Sequence, residues 1–546
     1  MKLGALAVVA GLWLALTGSP AAGQHAHPPH AHPAPPAPAA EKIGQVSFPI
    51  SCAPAAQKPF ERAVALLHSF WYLEAVKSFT EVTQIDPHCA IGYWGIAMSQ
   101  WTQIWSPPQP AALKRGWEAV EKARAATARS PKEADFVAAA EAFFKDADKI
   151  DHRTRAMAYS RAMEQTFARY PHDREVAIFY ALSLQATADP KDKSYARQRQ
   201  SAEIAEKVFA VEPDHPGAAH YIIHAYDYPA LAQRGLAAAG RYAQFAPAVP
   251  HALHMPSHIY VLLGMWGETI RGNLVAADAE RQRGNPDDRM HAIDYLMYAY
   301  LQQAQDADAR RTLDEARAIM ADLAAKGYNS GRPTAHFAMA AIEARWAMER
   351  NHWQEAAAIE PRPNRFAHTE AMIYFARAIG AARTGNAARA RTDVDRLVQL
   401  REALVQAKDA YWSEQVEIQR RGAAAWLARA EGRNDEALAT MRGAAELEDA
   451  TEKHNITPGP IATARELLGD LLLELGQPGQ AAREYEASLQ RAPNRFKTLY
   501  GVARAAELGG DRDRARAYYA RLVTVAAASD NLRPELQHAR AFLGKN

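Results

Sequence analysis

Cysteine is almost missing from this 546-residue chain: Cys52 and Cys89 are the only two. Thiolate metal clusters and disulfide frameworks beyond one bridge are thereby excluded. Past the first twenty-odd residues no apolar run reaches about 18 residues, so no later segment is written to cross a bilayer as a helix. The Val-Ile-Thr alternation of strands is scarce. Charge of one sign is lacking too, with 64 basic residues interleaved among 62 acidic ones for a net charge of +2. Arg512, Arg514 and Arg516 alternate with Asp511 and Asp513, a solvated helix face rather than a basic stripe, so nucleic acid is not expected as a partner. Glycine-rich phosphate loops, a G-x-S-x-G elbow, a C-x-x-C pair and the kinase motifs are all absent.

What is present is helical. Ala, Leu, Arg and Glu dominate, and 48% hydrophobic with 23% charged residues is the composition of a folded chain. The length exceeds what one compact core supports, a limit that stacked repeats avoid by extending the core in one dimension.

The N-terminus carries Lys2, an apolar run from Leu3 to Leu16, and small residues around Ser19-Pro20-Ala21-Ala22-Gly23. This is the three-part pattern of a secretory signal peptide over residues 1–23, cleaved between Ala21 and Gln24, which predicts a periplasmic or secreted protein. No cysteine stands at the cleavage point, so no lipid anchor is expected. Residues 24–45 form a Pro/Ala-rich flexible tail with His25, His27, His30 and His32, suited to loose metal capture or to solubilisation. In an exported chain, Cys52 and Cys89 predict one disulfide.

Repeats decide the fold. Near the C-terminus, Leu468-Gly469, Leu472, Ala481, Tyr485 and Pro493 recur at a 34-residue offset as Ala503, Ala515 and Tyr519, and Ala63, Ala75, Phe79 and Pro87 repeat the skeleton near the other end. These residues resemble the tetratricopeptide repeat, with Arg465 standing where that motif has a leading Trp. The resemblance covers nearly all of 55–530 and implies an all-α solenoid of about ten to twelve antiparallel helix pairs. It also implies a concave groove, lined by the first helix of each pair, that binds a peptide or protein segment. The body divides into poorly registered N-terminal helices over 46–173, central repeats over 174–330 and C-terminal repeats over 331–546.

Histidines concentrate in the central repeats. His220 and His224 recur 34 residues on as His254 and His258, at the fifth and ninth places of two consecutive first helices, which the resemblance turns into the groove. Residues four apart share one helix face and packed helices lie about 8–10 Å apart, so the four imidazoles are expected to converge on one divalent ion. Pro256 kinks this arrangement unless it lies in a first helical turn. His251 and His291 take the second place of their repeats, and Asp227, Asp294 and Tyr298 are expected alongside as ligands or groove residues. The metalloprotease motif H-E-x-x-H is not met, because Tyr221 stands where its Glu belongs. Imidazole and carboxylate without thiolate suit Zn, Cu, Ni or Fe.

At the N-terminal end Trp94, Met98 and Trp101 occupy groove-facing places, either internal packing of the terminal repeats, as aromatic stripes usually signal, or an apolar floor for a peptide, a hydrophobic ligand or the chain's own N-terminal segment. Three functions follow: a metal carrier or metal-organised binding module, a protein-interaction scaffold without metal, or a metalloenzyme using the same histidines with an open coordination position.

Overall fold

The computed structural model describes residues 41–102, 106–127, 129–329, 331–362 and 364–544. The predicted signal peptide and the histidines of the tail lie outside these residues. The tail's last residues do not: Ile43 is buried and the Gln45 N–H donates to the Asp214 carbonyl, so the compact body begins at Lys42.

The described helices follow one another in antiparallel pairs. Gln57–His68 pairs with Tyr72–Ile85, Ala90–Met98 with Pro110–Ala125, Pro131–Phe144 with His152–Arg169, Arg174–Ala186 with Ala196–Val211, and Pro216–Ala225 with Leu236–Phe245. The sixth pair joins Pro250–His254, continued by Pro256–Leu263, to Trp266–Arg283. Pro286–Gln302 pairs with Asp306–Ala325, Thr334–Met348 with the short Trp353–Ala357, Ala367–Arg383 with Ala387–Gln406, and Ala410–Ala430 with Asn434–Asp449. Ala464–Glu474 with Pro478–Arg491 and Phe496–Leu508 with Arg512–Val525 complete the series, and Pro534–Leu543 caps it. The fold is an all-α solenoid of tetratricopeptide type, and the poorly registered stretch before residue 174 is paired like the rest.

The local signals explain the boundaries. Ser130 and Glu133 form a reciprocal capping box with Pro131 in the first turn. Side chains of Asp151, Asp173, Asn285 and Thr463 each accept a backbone N–H at the start of a helix. The repeat's small residues are spaces for its aromatic ones. A Cβ on Gly469 or Gly501 would stand 2.7 or 2.5 Å from the Tyr485 ring, and one on Gly95 would stand 2.3 Å from Phe79.

Second helices are amphipathic, whereas some first helices are buried almost all round: every residue of Thr334–Met348 except His336 is buried. The C-terminal pairs return against the middle ones and supply that cover. Arg495, fully buried, binds Glu349, Glu466 and the Tyr298 hydroxyl, Arg533 pairs with Asp306 at 2.7 Å, and the Trp266 indole donates to the Asn494 carbonyl. At the N-terminal end the expected apolar floor is covered by the chain's own N-terminal segment and packed as core, with no room left for an external peptide. Trp94, Met98 and Trp101 are core residues, because the chain's own Phe48 packs between Phe60, Trp94 and Phe136 while Phe143 stacks on Trp101 at 3.6 Å.

One buried cluster ties three pairs together without any ligand. The His215 Nδ1 accepts the Ala218 N–H, so its Nε2–H donates to Glu175 at 2.9 Å. His68 reaches the other Glu175 oxygen at 2.8 Å and the Tyr221 hydroxyl at 2.9 Å. Every ring nitrogen here has a protein partner. Burial pushes the Glu175 carboxyl up, but the two imidazoles outweigh it and hold the group down at about 2. Gly217 permits the contact, since a Cβ there would meet the His68 ring at 2.7 Å.

Cys52 and Cys89 are bridged, tying the segment before the first helix to the third. Thiol titration of the denatured, unreduced chain is therefore expected to find no free thiol in Cys52 or Cys89. Reduction should lower stability by about 4 kcal/mol by loop closure, and two free thiols would refute the bridge. The Glu175→Ala chain should be less stable at neutral pH by about 3 kcal/mol, the cost of stranding two buried imidazoles. The depressed carboxyl contributes stability that is present above its ordinary value of 4.5 and lost as pH falls toward 2. The gap between the two chains, read from denaturant midpoints, should close across that window; a gap unchanged by acid would contradict the assignment.

Candidate metal centre

Three consecutive first helices carry the histidine cluster. Pro216, Pro250 and Pro286 each sit in the first turn of theirs, where a missing N–H costs nothing. Pro256 divides the second of them, yet Met255 keeps right-handed helical angles (φ −52°, ψ −37°) and the His258 N–H bonds to the Met255 carbonyl. The helical path continues, and the His254 and His258 rings remain 5.0 Å apart.

The four repeat-related histidines do not meet at one point. They divide into two triads, His220–His224–His251 and His254–His258–His291, within each of which one ring nitrogen per residue lies within 4.8 Å of the others. Each triad joins a His-x3-His pair to the second-place histidine of the next first helix. That partition corrects the expectation of a single four-histidine site: neighbouring helices are offset enough that the next helix's second place, not its fifth, faces each pair. The triads adjoin, with ring centres 5.9 Å apart between His224 and His258 and 6.4 Å between His251 and His254.

The outer partners fix which nitrogens carry protons. The His220 Nδ1 lies 2.6 Å from the His68 carbonyl, which only accepts, so that nitrogen is the N–H. The His254 Nδ1 lies 2.7 Å from the Asn273 Oδ1, and the Asn273 Nδ2 donates to the Thr269 carbonyl, which fixes the amide's orientation. The His258 Nδ1 donates to the Asp227 carboxylate at 2.9 Å. Burial pushes the Asp227 carboxyl up while Lys453, within 2.8 and 2.9 Å of its two oxygens, favours the ionised, acceptor-only form. The Nε2 atoms of His254 and His258 therefore both present lone pairs, and they face each other at 3.1 Å. Neither is easily protonated: burial lowers His254 to about 4 and takes His258 well below its ordinary value. The Tyr295 hydroxyl stands 3.5 Å from the His258 Nε2 but also 3.3 Å from the Thr457 carbonyl, and it has one proton to give. Two ligands on a tetrahedral ion with bonds of about 2.0–2.1 Å sit about 3.3 Å apart, so the spacing suits a cation between them. The buried triads thus have the donors and the spacing to hold a metal.

An internal segment covers the cluster. Between Asp449 and Ala464 the chain crosses the first helices as a strap. Lys453 binds both Asp227 oxygens at 2.8 and 2.9 Å, and Arg345 reaches the Thr457 hydroxyl and the Gly459 carbonyl at 3.1 and 2.5 Å. Beyond the strap a cavity remains, lined by Phe337, His368, Met372, Trp412 and Gln415, with His368 stacked on Trp412 at 4.2 Å.

Several expected ligands have other partners. Asp227 stands behind His258 rather than among the ligand atoms. Asp294 is fully buried in an ion pair with Arg345, and the Tyr298 hydroxyl accepts from Arg495 at 2.8 Å. Sequence reasoning missed Asn273, Tyr295, Lys453 and the His68 carbonyl. Only Tyr295 left a signal, four residues after His291 on the same helix face.

No protein-family model and no curated protein sequence matches the chain. Among solved structures, a tetratricopeptide repeat protein from Parabacteroides merdae is similar over 54% of this chain and 97% of its own, at 12% identity and a TM-score of 0.29. A human IFIT1 dimer with m7Gppp-AAAA is similar over 80% of this chain and 90% of its own, at 11% identity and a TM-score of 0.37. At that distance the likeness concerns helical-repeat architecture only, and it lends no support to excluding nucleic acid as a partner.

Proposed function

We propose that this chain is an exported helical-repeat binding scaffold that holds a late transition-metal ion through His254, His258 and His291. The observation that carries the reading is the confrontation of two acceptor nitrogens at 3.1 Å, with both Nδ1 protons spent on outer partners. Left empty, that arrangement sets two lone pairs against each other in a buried site; an ion between them turns the repulsion into two bonds. Neutral imidazoles without thiolate suit Zn, Cu, Ni or Fe. Three histidines leave a fourth position open, as in metal sites that bind an exchangeable ligand. Export rests on the signal pattern and accords with the disulfide. The strap occupies the concave face over the histidines, so a protein or peptide partner is assigned to the cavity beside Phe337 and Trp412.

The test uses the full, untagged chain with His25, His27, His30 and His32 changed to alanine, which removes loose tail binding. After exposure to Zn²⁺ and exhaustive dialysis, elemental analysis should find tightly held metal, and the metal should raise the melting temperature by mass action. Adding His254→Ala and His258→Ala should abolish binding at the proposed triad and shrink the thermal shift. A tail variant that retains no metal would overturn the reading.

A further inference from the structure

We infer that the centre is dinuclear: His220, His224 and His251 hold a second ion, and the two ions share a small oxygen-donor anion such as hydroxide. The inference rests on the metal reading above and extends it. Its basis is the repeat itself. His220 and His224 map onto His254 and His258 by 34 residues, and His251 maps onto His291 by 40, the excess falling where Trp266–Arg283 overruns its repeat and turns at Gly284. The geometry repeats with the sequence. Within the His-x3-His pairs the rings are 4.7 and 5.0 Å apart, and from each pair to the next helix they are 5.0 and 4.4 Å apart.

In the second triad the outer partner fixes one tautomer, that of His220. The His68 carbonyl fixes the proton of His220 on Nδ1, so its Nε2 offers a lone pair toward the His251 Nε2, 3.2 Å away. That carbonyl belongs to a residue whose ring is pinned by Glu175 and Tyr221, so the His220 orientation is set by a network that needs no metal. His68–Glu175–His215 is the useful contrast. It has a similar donor composition and is also buried, but its nitrogens are already committed to protein partners.

Charge supplies the shared ligand. Two dications on neutral imidazoles would place four positive charges in a buried site, and the carboxylates beside them are already paired, Asp227 with Lys453 and Asp288, close to His251 and His291, with Arg332. An anion on the open positions offsets part of that charge. The triads adjoin closely enough, at 5.9 Å between the His224 and His258 rings, that one small ligand can serve both ions. Water can supply it as hydroxide, the released proton passing to solvent. The strap restricts the ligand to a small one.

Copper(II) titration of the same full-length tail variant tests this, with bound copper counted after gel filtration and spins counted by electron paramagnetic resonance. Two equivalents per chain are expected, with a spin count well below two because a shared ligand couples the ions. His220→Ala/His224→Ala and His254→Ala/His258→Ala should each retain one equivalent and recover about one spin, and all four changes together should retain none. If a double variant fails to fold by circular dichroism, His251→Asn and His291→Asn, at the less buried members, provide the same comparison. One equivalent that is insensitive to His220→Ala/His224→Ala would overturn the second site and leave the first standing. One equivalent abolished by either double variant would mean a single ion shared by both pairs, which also overturns the inference. Two equivalents with two full spins would refute the shared ligand, and no copper at all would refute the metal reading itself.

Discussion

The close approach of consecutive first helices is the constraint on which the rest of the structure depends. It is possible because the repeat puts small residues where backbones must near one another. Gly217 is one case: a Cβ there would stand 2.8 Å from Ile178 of the preceding first helix and 2.7 Å from the ring of His68. Helices stacked this way bring equivalent places to neighbouring heights, so a duplicated His-x3-His pair meets its own copy. The histidine cluster is therefore a product of the architecture, and a one-residue slip on any of its helices would rotate an imidazole out of the group.

Gathering imidazoles in a dry interior is unfavourable unless each finds a partner. The protein meets that cost in two ways. Around Glu175 it supplies a carboxylate, a hydroxyl and a backbone N–H, and the cluster is complete. In the two triads it supplies acceptors for the outer nitrogens of three histidines, namely the His68 carbonyl for His220, Asn273 for His254 and Asp227 for His258, and thereby turns the inner nitrogens of those three into acceptors. The Glu175 cluster and the triads therefore differ in how their protons are allocated as well as in the carboxylate that only the first contains.

The strap changes what the groove is for. A solenoid with an open concave face offers a long channel to an extended peptide, but here the chain's own Lys453 and Thr457 lie across the histidines and the C-terminal pairs close against the middle ones. Over the cluster the surface is an interior. Beside the strap an aromatic cavity remains open, lined by Phe337, His368 and Trp412.

The sequence by itself determined the repeat register, and with it the all-α pairing, because the 34-residue spacing of small and large apolar residues is a local pattern that survives in one dimension. It also determined that His220, His224, His254 and His258 belong on first helices, and that His251 and His291 stand at matching places one repeat on. Only the tertiary structure decided how those six divide, since the division follows from the offset between neighbouring helices and the tilt of each ring. Trp94, Met98 and Trp101 read as a groove floor by register and are core by packing, because Phe48, which no repeat pattern includes, fills the space in front of Trp94. Asp294 and Tyr298 have the right places, but Arg345 and Arg495 arrive from far along the chain and take them. Lys453 stands 226 residues from the Asp227 it neutralises. Contacts across such distances leave no periodic trace in a sequence, because they depend on how far the solenoid turns before the chain meets itself.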